Sequence, residues 1–282
     1  MNLTNFSNIK VASIVGKTEH VSGVCTVMRS EEERKTNHYH TLVDAIPRLY
    51  LLNQPEYKKI DKIKLLLSSE PTTIERFFIK KLAPQNLKIT VVENPEIFYL
   101  AEQLIFPSFL SSSDGGCLPS VYLEYFRDKV LPKRESKKAN RIFISRANAR
   151  WRYMINEAEL FEALKPYGFK KYFLEDMSIE DEIELFYDAD YVVGTFGAGL
   201  TNMIFSHKIK VLELFASEFS GLYYYYLAKS LGHTYGYCYG YNSLRSRVPT
   251  FKVPIIKEFR VNVSEVVERL LELEKQHEQT TC

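Results

Sequence analysis

The sequence has few cysteines, and they form no pattern that a metal site or a disulfide framework needs. The four are far apart and include no C-x-x-C pair: Cys25, Cys117, Cys238 and Cys282. Such spacing is typical of reduced thiols with no role in binding. A zinc protein and a small disulfide-stapled protein are therefore disfavoured.

Long apolar runs and an excess of charge of one sign are also missing. No stretch approaches the roughly 20 apolar residues of a membrane-spanning helix, and residues 1–6 contain no basic segment of a leader. Lys and Arg number 37 against 35 for Asp and Glu, a net charge of +2. We expect a cytoplasmic protein that has neither a transmembrane segment nor a nucleic-acid partner. Because the net charge is small, any bound anion is expected to be held by a local cluster of basic residues.

Strand and helix patterns alternate along most of the 282 residues. The first half shows strand patterns at 8–16, 23–28, 62–69 and 88–93, a charged loop at 30–35, and helix patterns at 42–52, 72–82 and 121–130. The second half, from 141, predicts β, α, β, α, β, loop, α, β, with one strand at 172–175 and helix caps at Asn156 and Ser178. This alternation predicts an α/β fold with parallel sheets.

A polar segment without periodicity, 133–138, predicts a hinge between two domains. We expect an N-terminal domain at 1–132 and a C-terminal domain at 139–260. An amphipathic helix within 261–282 is expected to dock on the body, with the option of crossing back to the first domain.

A glycine-rich turn between two apolar strands is the most informative stretch. Gly194, Gly197 and Gly199 follow the spacing G-x-x-G-x-G and precede a short helical pattern. Glycines allow backbone amides to approach a ligand, and the start of a helix favours an anion such as a diphosphate. The spacing is neither that of a dinucleotide fingerprint nor that of a P-loop. A tight turn that needs glycine only for packing remains the alternative.

Basic residues follow the strand that opens the second half. Arg146 and Arg150 stand four apart beyond this strand, with Arg152 close behind. At the carboxyl edge of a parallel sheet they can clamp an anion, whereas the alternative is a solvated basic turn. Glu213, in the strand after the glycine turn, is a candidate to bind a ribose diol; a local partner for its carboxylate is the alternative.

A histidine and a carboxylate share one face of an early helix. His40 and Asp44 are four residues apart and can form a general base, or else an ordinary surface ion pair. The long irregular segment 106–119 is assigned to the acceptor side of a cleft, with a plain surface excursion as the alternative.

Two other patterns have a structural interpretation. The tyrosines at 223–226 and the alternating Tyr235, Tyr237, Tyr239 and Tyr241 favour core and sheet packing over a sugar-binding platform. Asp188-Ala189-Asp190 has the letters of a metal motif, but it lies where a helix feeds a strand and is interpreted as a cap.

Three motifs occur in a fixed order between about residues 37 and 215: Tyr39-His40-x-x-x-Asp44-x-x-Pro47-Arg48, then Ile144-Ser145-Arg146-x-Asn148-Ala149-x-Trp151-Arg152 with Asn156-Glu157, and Gly194-x-x-Gly197-Ala198-Gly199-Leu200-Thr201-Asn202 with Leu212-Glu213-Leu214. Together they resemble glycosyltransferase family 61, whose members include xylosyltransferases and capsule enzymes. The resemblance implies a GT-B-like fold, two Rossmann-type domains whose parallel sheets face each other across a cleft. It also implies a UDP-sugar donor, a glycan acceptor and inversion at the anomeric carbon.

The resemblance also implies roles for individual residues. Asp44 is expected to be the base, assisted by His40, and no divalent metal or other cofactor is expected. The donor-binding set comprises Glu175, Arg146, Arg150, Arg152, Gly197, Ala198, Gly199, Leu200, Thr201, Asn202 and Glu213. The chain departs from the family at Thr195-Phe196, where Pro-His is usual, and at Glu182, where glutamine is common.

Xylose from UDP-xylose is the first expectation for the transferred sugar, and UDP-N-acetylglucosamine or another UDP-sugar is the alternative. A noncatalytic nucleotide- or glycan-binding module is the rival from another class. The glycine spacing disfavours a nicotinamide-dependent oxidoreductase.

Overall fold

The structure is a computed structural model that describes residues 16–29, 37–94, 96–111, 115–216, 221–241, 247–248 and 255–281. The charged loop at 30–35, nearly all of the strand predicted at 8–16, and Cys282 lie outside these residues. Cys25, Cys117 and Cys238 are free thiols. In the described part of the chain, no helix is long and apolar enough to cross a membrane.

The first half contains a parallel sheet in the order β3-β2-β1-β4. Its strands are β1 (Lys17–Val27), β2 (Ile63–Leu67), β3 (Leu87–Val91) and β4 (Ile97–Ile105). Its helices are a π-helical turn (His40–Ala45), α1 (Arg48–Leu51), α2 (Pro55–Lys58), α3 (Thr73–Leu82) and α4 (Ser120–Val130).

The second half contains a parallel sheet in the order β10-β9-β8-β5-β7. In chain order its elements are β5 (Asn140–Ile144), β6 (Tyr153–Met154), α5 (Glu157–Leu164), a 3₁₀ turn (Lys165–Tyr167), β7 (Phe169–Tyr172), a 3₁₀ turn (Leu174–Asp176), α6 (Ile179–Tyr187), β8 (Ala189–Thr195), a 3₁₀ helix (Ala198–Phe205), β9 (Lys210–Phe215), α7 (Tyr223–Leu231), β10 (Thr234–Tyr239), β11 (Arg247–Val248), β12 (Ile255–Ile256), β13 (Glu258–Phe259) and α8 (Val263–Thr281). Strands β5 and β8 are neighbours although they are distant in sequence, so the strand order reverses between them. Open α/β sheets bind ligands at such a point.

The mixed α/β fold with parallel sheets is confirmed, but three local predictions are wrong. The strand predicted at 172–175 instead ends at Tyr172, and a 3₁₀ turn follows that leads into α6. The helix predicted at 42–52 is broken by Pro47, which has no N–H to donate to Val43, and the turn before it widens to the π form.

The third correction concerns Asn156, whose side chain does not cap α5. Its amide donates to the carbonyl of Val261 (3.0 Å), and its oxygen accepts from the Val261 N–H (3.1 Å). The side chain thus ties α5 to the chain before α8. The other predicted cap is confirmed, because Ser178 Oγ accepts from the N–H of Asp181 (3.1 Å).

The two halves share one buried aromatic core. Phe78 and Phe126 of the first half stack on Phe205 of the second, with ring centroids 6.3 and 6.0 Å apart. The predicted hinge is irregular, but Arg134 forms an ion pair with Asp188 (2.6 Å) across to the end of α6. This segment is therefore attached to the second half.

The C-terminal helix packs on the second sheet. Its buried residues Val266, Leu270 and Leu273 belong to the core on that sheet's outer face. Glu274 forms ion pairs with Arg141 (2.6 Å) and Lys210 (2.9 Å). The alternative prediction, that this helix crosses back and packs on the first half, is therefore wrong for the side chains that the structure describes.

The capping box of α3 yields a prediction about stability. Thr72 Oγ1 accepts from the N–H of Glu75 (3.2 Å), and the Glu75 carboxylate accepts from the N–H of Thr72 (2.8 Å). We expect Thr72→Ala to lower the free energy of unfolding by about 1 kcal/mol in urea titrations, because a helix-end donor loses its partner. Thr72→Ser should retain most of the stability, and the exposed Thr73→Ala is the control. Equal losses in Thr72→Ser and Thr72→Ala would refute the role of the cap.

Candidate active site

A cavity of about 620 Å³ lies between the two halves. The first half lines it with Asn37, Tyr39, His40, Asp44 and Gly115. The second half contributes Arg146, Arg152, Phe196, Gly197, Ala198, Tyr223 and Tyr224. The predicted base and the predicted anion clamp therefore face one shared space.

One wall carries a hydrogen-bonded histidine and carboxylate. His40 Nδ1 lies 2.6 Å from Asp44 Oδ2, and Ser111 Oγ donates to Asp44 Oδ1 (2.9 Å). The ring of Tyr39 meets the imidazole edge-on at 5.5 Å. When the ring is neutral and Nδ1 donates to Asp44, the lone pair of His40 is on Nε2.

A buried arginine attaches the neighbouring loop to this wall. Arg48 is 1% exposed and donates to the carbonyls of Met28 (2.9 Å) and Pro107 (2.8 Å). Its guanidinium also lies over the rings of Phe106 and Phe109. These contacts hold the loop after β4 beside the π-helical turn, where Ser111 reaches Asp44. The loop predicted on the acceptor side thus borders the cavity.

The opposite wall carries two guanidinium groups, those of Arg146 and Arg152. Among the described residues neither Arg146 nor Arg152 forms an ion pair, and the Nε of each is buried without a hydrogen-bond partner. Burial lowers the pKa of Arg146, and the nearby Arg152 cation lowers it further. Burial also lowers the pKa of Arg152. An anion between them would relieve both effects.

Several contacts hold this pair in place. Glu157 accepts from the Arg146 N–H (3.0 Å), and the Arg146 guanidinium donates to the Trp151 carbonyl (3.0 Å). A Cβ on Gly197 would lie 2.3 Å from Arg146 Nη1, so only glycine leaves room for this guanidinium. Arg152 has a left-handed backbone (φ 56°) and lies 5.2 Å above the Phe196 ring. Non-glycine residues in this conformation are rare and often functional.

A second cavity of about 420 Å³ adjoins the first at Arg146. Its lining comprises His38, Ile74, Ile144, Ser145, Arg146, Leu174, Glu175, Met177, Glu182, Thr195, Gly199, Leu200 and Asn202. His38 Nε2 lies 2.5 Å from Asn202 Oδ1, and the Asn202 amide donates to Glu182. Burial raises the pKa of Glu182 to about 7 and lowers that of His38. Apolar walls and a polar cluster are typical of a small-molecule site.

Most predicted site residues lie at these cavities, but three do not. Arg150 is exposed over the Trp151 ring and lines neither cavity. Thr201 is fully buried and lines neither. Glu213 is 1% exposed, accepts from the Tyr235 hydroxyl (2.6 Å) and also lines neither. The ribose role predicted for Glu213 is therefore not supported. Its Oε2 has a local partner in Tyr235, whereas its Oε1 is buried without a hydrogen-bond partner among the described residues.

The glycines and aspartates of the second half have structural roles. A Cβ on Gly199 would lie 3.0 Å from Leu174, so this glycine permits close packing. Asp188 pairs with Arg134, and Asp190 pairs with Lys210 (2.9 Å). Across the described ranges no three His, Cys, Asp or Glu residues are grouped as metal ligands.

Sequence reasoning missed several residues at the two cavities. They are His38, Gly115, Leu174, Met177, Tyr223 and Tyr224. Ser111 and Glu157, which line neither cavity but bind Asp44 and the Arg146 backbone, were missed as well. Tyr223 and Tyr224 belong to the tyrosine run that was interpreted as packing; Tyr224 is buried, but Tyr223 is 41% exposed at the cavity. Two features of the sequence pointed to the polar cluster of His38, Asn202 and Glu182. They are a second histidine two positions before His40, and glutamate at 182 where the resemblance led us to expect glutamine.

A hydrogen-bonded histidine and carboxylate that face two guanidinium groups form the arrangement expected of an enzyme that transfers a group from an anionic leaving group. The family model described as Glycosyltransferase 61 matches residues 38–212, more than half of the chain, and the chain therefore belongs to this family. It is a glycosyltransferase, with a sugar donor and a glycan acceptor. A comparison with curated proteins found no match.

The buried Glu213 yields a prediction about pH. Burial raises its pKa to about 8, from an ordinary 4.5, so between these values the folded protein keeps a proton that the unfolded chain releases. The free energy of unfolding should therefore fall as pH rises from 5 to 8, by at most about 1.4 kcal/mol per pH unit from this group. We expect Glu213→Gln to make this slope shallower in denaturation curves, leaving the part that Glu182 contributes, whereas the exposed Glu180→Gln should keep the wild-type slope. A wild-type slope in Glu213→Gln would contradict the assignment.

Proposed function

We propose that the enzyme transfers a sugar from a UDP-sugar to a glycan hydroxyl with inversion at the anomeric carbon. One observation carries this proposal: His40 with Asp44 and Arg146 with Arg152 line a single cavity from opposite sides. Inverting transfer needs one base opposite one anionic leaving group, and the two walls supply these groups. The chain's order of sheets is compatible with a GT-B-like arrangement of two Rossmann-type domains, at 1–132 and 139–260.

We assign a different part of the UDP-sugar donor to each of the two cavities. In this proposal the nucleoside occupies the second cavity, where Leu174 and Met177 cover the flat faces of the base and Asn202 offers partners for its polar edge. The diphosphate lies at Arg146, the residue that both cavities share, with Arg152 beside it. The sugar then projects into the main cavity towards His40. No divalent metal is required in this scheme, because two cations already face the leaving group.

The hydrogen bond between His40 and Asp44 indicates which of the two residues accepts the proton of the acceptor hydroxyl. His40 binds Asp44 through Nδ1, so its Nε2 is the atom free to accept the proton of the acceptor hydroxyl. As that proton moves to Nε2, the oxygen attacks the anomeric carbon, and the bond from this carbon to the diphosphate oxygen breaks. Asp44, held by Ser111, stabilises the imidazolium that forms. The expectation that Asp44 itself is the base becomes the alternative.

Xylose is our first choice for the sugar, from the family resemblance, with N-acetylglucosamine and other sugars as alternatives. A panel of UDP-sugars in a hydrolysis assay tests this choice. The rival, a noncatalytic nucleotide- or glycan-binding module, predicts thermal stabilisation by UDP without turnover of any UDP-sugar. Release of UDP from one donor would rule this rival out.

The donor site is tested by comparing two arginines. We expect Arg146→Ala to weaken UDP binding in calorimetry by at least about tenfold, because a charge-assisted contact contributes about 1.5 kcal/mol or more. Arg150→Ala is the matched control, since this exposed arginine lines neither cavity. Equal affinities in Arg146→Ala and the wild type would refute the donor site.

The base is tested by chemical rescue. We expect His40→Ala to lower kcat by about 10²–10⁴ with UDP affinity unchanged. Added imidazole should restore part of the rate in His40→Ala, because it can occupy the vacated space and accept the proton. In Asp44→Ala added formate should restore less. Rescue of Asp44→Ala by formate, with none of His40→Ala by imidazole, would identify Asp44 as the base instead.

A further inference from the structure

Helix α7 presents a buried hydroxyl to the main cavity. Tyr224 is 4% exposed and lines this cavity together with Arg146 and Arg152. A tyrosine that is buried to this extent usually has a hydrogen-bond partner for its hydroxyl. The Thr201 hydroxyl faces that of Tyr224, but Thr201 Oγ1 forms no hydrogen bond with any described residue. The proton of the Tyr224 hydroxyl is therefore left without an acceptor in the described part of the chain.

Packing holds the Tyr224 ring beside the two arginines. The ring meets that of Phe196 edge-on, with centroids 5.4 Å apart, and the same Phe196 ring lies 5.2 Å from the Arg152 guanidinium. Burial lowers the pKa of Arg146 and that of Arg152, and the Tyr224 hydroxyl opposes this effect at both. One phenolic oxygen thus lies near both cations, on the wall of the cavity that we assign to the diphosphate.

The Tyr224 hydroxyl is suited to donate to an anion. Burial raises the pKa of Tyr224 above its ordinary value of 10, and the charge of Glu213 raises it further, although the Arg152 cation opposes both. Tyr224 therefore keeps its proton at neutral pH. A guanidinium has no acceptor atom, so neither arginine can accept this proton. An anion bound by the arginines has acceptor oxygens, and a hydrogen bond to such a charged oxygen is stronger than one between neutral groups.

We infer that the Tyr224 hydroxyl donates a hydrogen bond to a phosphate oxygen of the UDP leaving group bound at Arg146 and Arg152. This inference rests on the proposed function for the identity of the anion. Tyr224 transfers no proton in this role. Its hydrogen bond strengthens as the bond from the anomeric carbon to the diphosphate oxygen breaks, because negative charge then accumulates on the diphosphate. The tyrosine run at 223–226 thus contributes a donor to the site as well as packing.

The test compares UDP with uridine, which lacks the phosphates, in calorimetry of the wild type and Tyr224→Phe. This substitution keeps the ring and removes only the hydroxyl. We expect the affinity for UDP to fall about tenfold or more, since a hydrogen bond to a charged group is lost. The affinity for uridine should be unchanged. The matched control is Tyr122→Phe, because Tyr122 is fully buried, its hydroxyl also lacks a partner among the described residues, and it lines neither cavity.

Two further measurements separate a contact with the anion from a structural role. In Tyr224→Phe, kcat for hydrolysis of the UDP-sugar selected by the donor panel should fall about tenfold or more, because the contact strengthens in the transition state. The urea midpoint of Tyr224→Phe should be equal to that of the wild type or higher, because the hydroxyl loses no partner within the described protein. Tyr122→Phe should leave kcat and the affinity for UDP unchanged.

Equal affinity for UDP in the wild type and Tyr224→Phe overturns the inference and leaves the proposed function standing. An equal loss of affinity for UDP and for uridine shows that the substitution disturbs the cavity as a whole, and also overturns it. So does a variant that is too unstable to measure, since the hydroxyl then has a partner inside the protein. A wild type that does not bind UDP contradicts the proposed function, and the inference falls with it.

Discussion

The site depends on two positive charges that the fold keeps together although neither forms an ion pair with a residue that the structure describes. Arg146 and Arg152 repel each other in a half-buried place, and the charge of Glu175 attracts Arg146 without forming an ion pair with it. Glu157 holds the Arg146 backbone, and Phe196 supports the Arg152 guanidinium. Such an arrangement costs stability in the free enzyme and is relieved when an anion binds. Phe196, whose ring lies 5.2 Å from the Arg152 guanidinium, thus supports a cation.

Much of the fold could be predicted because its strands and helices have strong local patterns. Strand β2 and helix α3 follow their apolar periodicity closely, and the Ser178 cap lies where its side-chain chemistry indicated. The break at Pro47 has a local cause, whereas the error at Asn156 arose because a distant contact decides the structure. Asn156 has the sequence of a cap, yet it pairs with the backbone of Val261, more than a hundred residues away. No local signal could reveal that partner.

The site was predictable where one motif supplies both position and chemistry. His40, Asp44, Arg146 and Gly197 all reached the main cavity, because parallel strands bring their carboxyl ends to one edge. Glu213 and Thr201 sit beside the same motifs and yet are buried, since alternation along a strand or turn decides which side chains face a ligand. Ser111 was beyond prediction, because Arg48 brings its loop to Asp44 through tertiary contacts alone.

The aromatic stack between the halves has a consequence for how substrates enter and leave. Phe78, Phe126 and Phe205 are fully buried, and rotating one half away from the other would wet all three rings. At about 2 kcal/mol or more for each ring, such a rotation would consume much of the stability of an ordinary domain. The buried stack therefore opposes any wide separation of the two halves, so that an opening of the cavity by movement of its bordering loops costs less free energy than one by rotation of a half.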